Sequence, residues 1–447
     1  VIAPTTKLCQ LAILPLAASL LLFAVPEVWP VVVVLDLLLA VVAIGDATTL
    51  PRRSGFEARR EFEPIATRGE RHRIGLVIEN RSRRAHEIDV RDDVGGVIES
   101  LEPPSRLRMT GRSCGRTSHV VLPHERGSFV FQWIDLRGGS RLGLWSVTHR
   151  LPVADRIEVY PALRQISRYA LYARQNRMSL LGVRRTRRVG TENEFERLRD
   201  YTAGDAFKAI DWRATSRRMK LTVRDFQMNQ SQRVVFALDC GRMMVNQNDG
   251  LTMFDAALDA ALTLAYVAIE HRDEVGILCF SDRILRWMPP RGGQGQLRRM
   301  IAATHDVQPE LVESRFDEAL IHLGHQCRKR TLLVLLTNVI DDRNAERIRR
   351  HVLPTVGRHL PLVVCLRDRA LTDRLAAGQK GPTGKLGGER GTVGFHVAAA
   401  AADILAWRQR ILSDLERAGV LTLDCLPEQL TASLVNEYLA IKARHRL

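Results

Sequence analysis

The hydrophobic and polar positions divide the chain into stretches of different period. From Leu8 to Val25 no side chain carries a charge, and after Pro26-Glu27-Val28-Trp29-Pro30 a second apolar run extends from Val31 to Gly45. Each run is near the lower length limit for crossing about 30 Å of hydrocarbon as a helix. Together they predict a transmembrane helical hairpin over residues 1–50, with its turn at Pro26 to Pro30 and Trp29 at the interface. A cleaved signal peptide is the rival reading, but no clear small-residue cleavage site precedes Pro26 and the second run would stay unexplained. Asp36 interrupts the second run. An ionisable group there calls either for a polar contact that joins helices or for a shallow, tilted span.

From about residue 56 the period becomes two. Ile74, Leu76 and Ile78 share one face of the run 72–80, and Phe129, Phe131 and Trp133 share one face of 128–136. Similar runs at 86–92, 118–122, 142–149 and 156–160 are separated by turn signals such as Pro103-Pro104-Ser105 and Arg137-Gly138-Gly139-Ser140. Short strands at this spacing predict a β-sandwich-like domain over 51–165, with no catalytic group standing out.

Beyond residue 231 apolar strands alternate with helical stripes. Strands are expected at Arg233–Asp239, Glu274–Ser281, Thr331–Asn338, Leu360–Arg367 and Val420–Leu426. Helices are expected over Phe254–Arg272 and around 313–323, 343–353, 396–418 and 430–445. This order predicts a Rossmann-like α/β domain over 231–447, a mostly parallel sheet covered on both faces. Ligands of such sheets bind beyond the carboxyl ends of the strands, where Asp239, Ser281 and Asn338 stand.

Composition adds a charge balance. The 447 residues are 45% hydrophobic and 26% charged, which excludes disorder and small disulfide-stapled folds. Lys and Arg total 66 against 50 Asp and Glu, a net charge of +16 that favours acidic partners. The seven cysteines are widely spaced without a CxxC pair, which fits a reducing compartment. Arg52, Arg53, Arg59 and Arg60 follow the second apolar run and Lys7 precedes the first, whereas the turn carries only Glu27. Both ends of the hairpin are therefore expected on the cytoplasmic side, with those four arginines on anionic headgroups. The other arginines are spread along the chain without a recognised motif, so nucleic-acid binding is not expected.

The segment 166–230 mixes charge with aromatic residues, in TENEFERLRDYTAGDAFKAIDWRATSRRMKLTVRDFQ from Thr191 to Gln227. That mixture fits a docking surface or a buried ion-pair latch. The run Gly190, Glu194-Phe195, Leu198-Arg199 with Tyr201, Gly204-Asp205, Ile210-Asp211-Trp212 and Arg217 resembles the bacterial proteins of domain of unknown function 58 (DUF58). The resemblance extends over two leading spans, a β-rich segment with Arg137-Gly138 and Val159-Tyr160-Pro161, and a C-terminal von Willebrand A-like domain. It implies a protein of the bacterial inner membrane that accompanies MoxR-type AAA+ ATPases and helps to assemble or activate other complexes, with no reaction assigned. The expected partner surface comprises Glu194, Arg199, Asp205, Asp211, Trp212 and Arg213 of the signature, with Asp239, Gly241, Arg242 and Asn338 at the top of the sheet.

Von Willebrand A domains carry a metal site that begins Asp-x-Ser-x-Ser after the first strand. Here that element reads Asp239-Cys240-Gly241-Arg242-Met243, and Asn338 stands where the later carboxylate is expected. A hard divalent cation needs oxygen ligands, which Gly lacks and the sulfur of Met does not supply. No metal and no cofactor are therefore expected, and a cation-dependent ligand-binding domain is the alternative. An unrecognised hydrolase or nucleic-acid binder is a third reading. HExxH, GxSxG and paired-carboxylate constellations are absent. Gly378 to Lys385 has the wrong spacing for a phosphate loop, so 369–394 is expected as a mobile loop, and His322, His325 and Cys327 lack the second ligand pair of a zinc site.

Overall fold

Strand alternation between residues 56 and 160 produces two sheets that face one apolar core. The computed structural model describes residues 1–21, 29–162, 194–202, 207, 210–227, 232–248, 250–339, 342–379 and 389–444. It divides into two units, Val1–Tyr160 and Pro161–Leu447. In the first unit one sheet runs β1 (Ile2–Pro4), β10 (Trp145–Tyr160), β9 (Gly127–Gly139), β5 (His86–Asp92) and β7 (Ser105–Met109), with β3 (Ile65–Thr67) also beside β10. The other runs β2 (Phe56–Glu61), β4 (His72–Asn80), β8 (Ser113–Pro123) and β6 (Ile98–Ser100). The expected face of β4, Ile74, Leu76 and Ile78, packs with Ile88, Val90, Phe131, Ile134 and Ile157 of the opposite sheet.

Two helices precede the strands, α1 (Thr6–Leu21) and α2 (Trp29–Ala47). Only α2 is long and apolar enough to cross a membrane among the described residues. At 16 residues, α1 is short for a span. The expected turn lies largely outside the described residues. Asp36, singled out by the sequence, is exposed on α2.

The carboxylate that matters structurally is Asp46 in the last turn of α2, which is 3% exposed. It accepts hydrogen bonds from the Leu142 amide at 2.8 Å, the Leu144 amide at 3.1 Å and the Ser140 hydroxyl. The Trp145 indole N–H adds a bond to the Ala43 carbonyl at 2.8 Å. The same loop receives the start of α1, because the Thr5 hydroxyl donates to Gly143 O at 2.6 Å and the Thr5 amide to Leu144 O at 2.9 Å. Gly138 is required beside it, since a Cβ there would lie 2.6 Å from Cγ of Pro51.

Arg60 corrects the lipid-contact expectation. Its side chain is fully buried between the sheets, 2.7 Å from Asp92 and 3.1 Å from Asp155, and also donates to Trp133 O at 2.8 Å. A guanidinium so enclosed does not reach a headgroup. Arg52 and Arg53 are exposed, and exposed Arg59 pairs with Glu61 at 3.2 Å. His119 stands 3.6 Å from Asp92, and burial, opposed by that carboxylate, keeps its pKa below the usual histidine range.

In the second unit the sheet order is β17 (Ile284–Arg291), β16 (Glu274–Phe280), β13 (Arg233–Asp239), β18 (Leu332–Thr337), β19 (Leu360–Leu366) and β20 (Leu421–Cys425). All neighbours are parallel except β17, an antiparallel edge strand that the sequence reading omitted. Val235, Ala237, Leu333, Leu335 and Val363 face a core shared with α6 (Phe316–Gln326), α7 (Asp342–Val352) and α9 (Glu389–Arg417). The alternate residues Val234, Phe236 and Leu238 point the other way and are equally buried, on the side of α4 (Met253–Glu270). Also present are a short hairpin of β14 (Gln247–Asn248) and β15 (Leu251–Thr252), helix α5 (Gln294–Thr304), and the C-terminal α10 (Pro427–Ala443). The expected loop 369–394 is corrected by α8 (Arg369–Gln379) and the start of α9, with 380–388 outside the described residues. All seven cysteines are free, and burial pushes the Cys365 thiol up to about 11 and the Cys425 thiol up to about 12.

Removing Arg60 strands two carboxylates, one fully buried, so Arg60→Ala is expected to destabilise the protein by about 3–5 kcal/mol. Arg52→Ala should stay within about 0.5 kcal/mol; thermal unfolding of both variants checks the contrast. Because folding favours neutral His119, its contribution is complete above the unfolded histidine pKa of about 6.5 and is lost as pH falls below it. An acid-side decline in unfolding midpoint that is shallower in His119→Asn is the expected result.

Candidate functional site

The parallel strands of the second unit end in polar residues, and those ends form the crest expected to carry function. Asp239 closes β13 and is 1% exposed. Its Oδ1 accepts from the Gly241 amide at 2.9 Å and from the Ser314 hydroxyl, and its Oδ2 accepts from the Thr337 hydroxyl at 2.6 Å. Burial raises its pKa against the opposing pull of these bonds. Gly241 is buried as well, and a Cβ there would lie 2.0 Å from the Ser314 hydroxyl oxygen and 2.9 Å from Val312 O. Ser314 therefore fills the space that a serine at position 241 would need.

Asn338 is likewise engaged and 1% exposed. Arg408 of α9 donates to Asn338 Oδ1 at 3.0 Å, to Leu366 O at 2.8 Å and to Asp424 at 2.9 Å. Arg367 holds the second oxygen of Asp424 at 2.8 Å. The ends of β18, β19 and β20 are thus joined by a buried guanidinium. A divalent cation does not fit this donor set. Gly241 supplies no side-chain oxygen, both oxygens of Asp239 already accept hydrogen bonds, and Asn338 already faces a fixed positive charge. Among the described residues no group of three or more His, Cys, Asp or Glu side chains is placed to hold a metal ion.

The crest expectations need correction accordingly: Asp239, Gly241 and Asn338 are enclosed and offer no contact surface, and of the four only Arg242 is exposed. Arg242 pairs with Glu313 at 2.6 Å. Around it the rim carries Arg283 with Asp282 at 2.9 Å and Glu310 at 3.0 Å, and Arg315 with Asp317 at 3.2 Å. A charged groove of about 530 Å³ opens between Glu313, Arg315, Glu346, Arg347 and Arg350. Exposed pairs of this kind contribute about 0–1 kcal/mol each to stability, so they remain available to exchange partners.

The signature segment forms an antiparallel pair, β11 (Glu194–Asp200) with β12 (Thr222–Gln227), and between them the short helix α3 (Trp212–Arg218). Asp211 caps α3, its Oδ1 accepting from the amides of Arg213 and Ala214 at 3.0 Å each. Ile210, Ala214 and Val223 are buried, while Trp212 is 64% exposed and Arg213 is exposed. Phe207 and Met219 are also exposed. Glu194 and Arg199 stand on β11 opposite Gln227 and Val223. Asp205 lies outside the described residues.

Sequence reasoning missed Ser314, Thr337 and Arg408. Arg408 had a detectable signal, because Ala398, Ala401, Leu412 and Leu415 mark the buried stripe of α9 and residue 408 falls on it. His322, proposed and set aside as a metal ligand, packs edge-on against Trp287 with ring centroids 5.2 Å apart.

Comparison with known proteins places one family on this unit. Residues 197–375 match the family described as "Protein of unknown function DUF58". A curated relative, "Uncharacterized protein YeaD" of Bacillus subtilis (strain 168), is 28% identical over 114 residues, or 26% of this chain. The matched stretch spans 28% of that relative's length. Among solved structures, Salmonella alpha-2-macroglobulin aligns over 24% of this chain and 7% of its own, at 14% identity and a TM-score of 0.19. The CARDB domain of a Pyrococcus furiosus protein aligns over 23% of this chain and 86% of its own, at 6% identity and a TM-score of 0.16. These structural likenesses are too slight to carry an argument.

Restoring the missing serine should do harm. Gly241→Ser is expected to lower stability by about 1–3 kcal/mol through overpacking against Ser314. It should also give no heat beyond dilution with Mg²⁺ in calorimetry. Asp239→Ala strands three buried donors and is expected to cost more than about 2 kcal/mol, read from chemical denaturation.

Proposed function

We propose that this chain is a membrane-anchored, non-enzymatic interaction and assembly factor of the bacterial inner membrane. Its von Willebrand A-like unit docks a cytosolic protein partner, a MoxR-type AAA+ ATPase, during maturation of a protein complex. The observation that carries this reading is the sealed crest: the position where such a sheet would take a small ligand is filled by Asp239, Ser314, Thr337 and Arg408. What remains for recognition is surface, namely Arg242 with its charged rim and the exposed Trp212, Phe207 and Met219 of the signature segment. Exposed tryptophan and arginine are the residue types that dominate protein interfaces. The name of the partner rests on the family resemblance alone.

The anchor is α2 with α1 as a second, shorter span. Support comes from the loop 140–145, which binds Thr5 before α1 and Asp46 at the end of α2. An apolar segment whose two ends return to one loop leaves and re-enters on the same side. On this reading the arginines that follow α2 favour the cytoplasmic side for everything after about residue 50.

The test is affinity capture with the full chain in detergent. A AAA+ ATPase is expected to co-purify, and Trp212→Ala should weaken capture about tenfold or more, the effect of losing an interface anchor worth about 2 kcal/mol. Trp212 is largely solvent-exposed, so the fold should persist in that variant. Undiminished capture by Trp212→Ala, or turnover of a small molecule by the purified protein, counts against the proposal.

A further inference from the structure

A groove of about 940 Å³ in the first unit lies beside the end of α2, with Thr48, Thr49, Ser140 and Arg141 in its wall. Its floor is the outer face of the larger sheet. Across that face Arg106 on β7, Asp89 on β5 and Arg137 on β9 occupy neighbouring register positions. The carboxylates of the groove are already met: Asp89 pairs with Arg106 at 2.8 Å and Glu87 with Arg108 at 3.3 Å. Arg84, Arg137 and Arg141 also line the groove, and among the described residues none of the three has an ion-pair partner. Three uncompensated guanidiniums therefore share one cleft. His86 lines the same cleft, where burial, and after it the charge of Arg84, hold its pKa below the usual range.

Arg60 shows the contrasting treatment of a cation with a structural task, fully buried and met by Asp92 and Asp155. The groove opens where α2 ends, and Thr49 accepts a bond from the Arg141 amide at 2.9 Å, so the cleft is continuous with the end of the apolar helix. A helix that ends there after crossing hydrocarbon places the cleft at headgroup depth. Guanidiniums bind phosphate oxygens through two parallel N–H bonds, a geometry that the two free oxygens of a phosphodiester meet.

We infer that Arg84, Arg137 and Arg141 form a binding site for the phosphodiester headgroup of an anionic lipid in the cytoplasmic leaflet. The inference rests on the reading of α2 as a membrane span and adds to it a specific headgroup cleft, distinct from Arg52, Arg53 and Arg59. The lipid serves as a ligand of the sandwich, not only as a solvent for the helices.

The experiment titrates the fluorescently labelled full chain in detergent with short-chain phosphatidylglycerol, short-chain phosphatidylcholine and inorganic phosphate. Saturable binding of phosphatidylglycerol, little binding of phosphatidylcholine and poor competition by phosphate are expected. Affinity should fall about fivefold per arginine neutralised and about a hundredfold in Arg84→Gln/Arg137→Gln/Arg141→Gln, from about 1 kcal/mol per cation near an anionic surface. Arg116→Gln, exposed on the opposite sheet, should bind as the unaltered chain does. Equal affinity for the two lipids, displacement by phosphate as effective as by phosphatidylglycerol, or an equal loss in Arg116→Gln overturns the inference while leaving the membrane span in place. A chain that stays dispersed without detergent overturns the span and the inference together.

Discussion

A charge taken out of water has to be met by donors or by an opposite charge, and that constraint organises both units of this protein. At the base of α2 the Asp46 carboxylate is met by two amides and a hydroxyl from one loop. Between the sheets Arg60 is met by Asp92 and Asp155. At the crest of the parallel sheet Asp239 is met by Ser314, Thr337 and an amide, and Arg408 by Asn338 and Asp424. Each group joins elements distant in sequence, so each acts as a rivet whose removal exposes unmet polarity on both sides.

The crest shows how such a rivet changes what a fold can do. A sheet of this order has its natural recess beyond the carboxyl ends of the strands. Here that recess is occupied by the protein's own side chains, and the cation is supplied by a helix. The strand ends are thereby tied to one another through hydrogen bonds and one buried guanidinium. Outside that enclosed network stand the Arg242–Glu313 pair of the rim and the exposed Trp212.

Much of the architecture was legible because its signals are strong. The strands at 233–239, 332–337 and 360–366 are near-continuous apolar runs, and a strand buried on both faces leaves that trace. Ile74, Leu76 and Ile78 reached the sandwich core as their alternation required. The edge strand Ile284–Arg291 was missed because one side of an edge strand faces water and its pattern is diluted by Pro289, Pro290 and arginines. The site was less legible than the fold. Asp239, Gly241 and Asn338 were placed correctly at the strand ends, yet their burial depends on Ser314 and Arg408, which lie far along the chain and announce themselves only once packed. Asp36 stands out inside an apolar run, whereas Asp46, one residue past the end of that run, carries no pattern signal and does the joining.

The seat of Asp46 also sets a compass bearing. With its two oxygens held from different atoms of one loop, α2 can neither slide nor spin about its axis without breaking those bonds. Asp36 lies ten residues earlier on the same helix, and at 3.6 residues per turn its direction differs from that of Asp46 by about 80° around the axis. The exposed carboxylate is therefore aimed along one azimuth relative to the sandwich, and any neighbouring helix that meets it must arrive from that quarter.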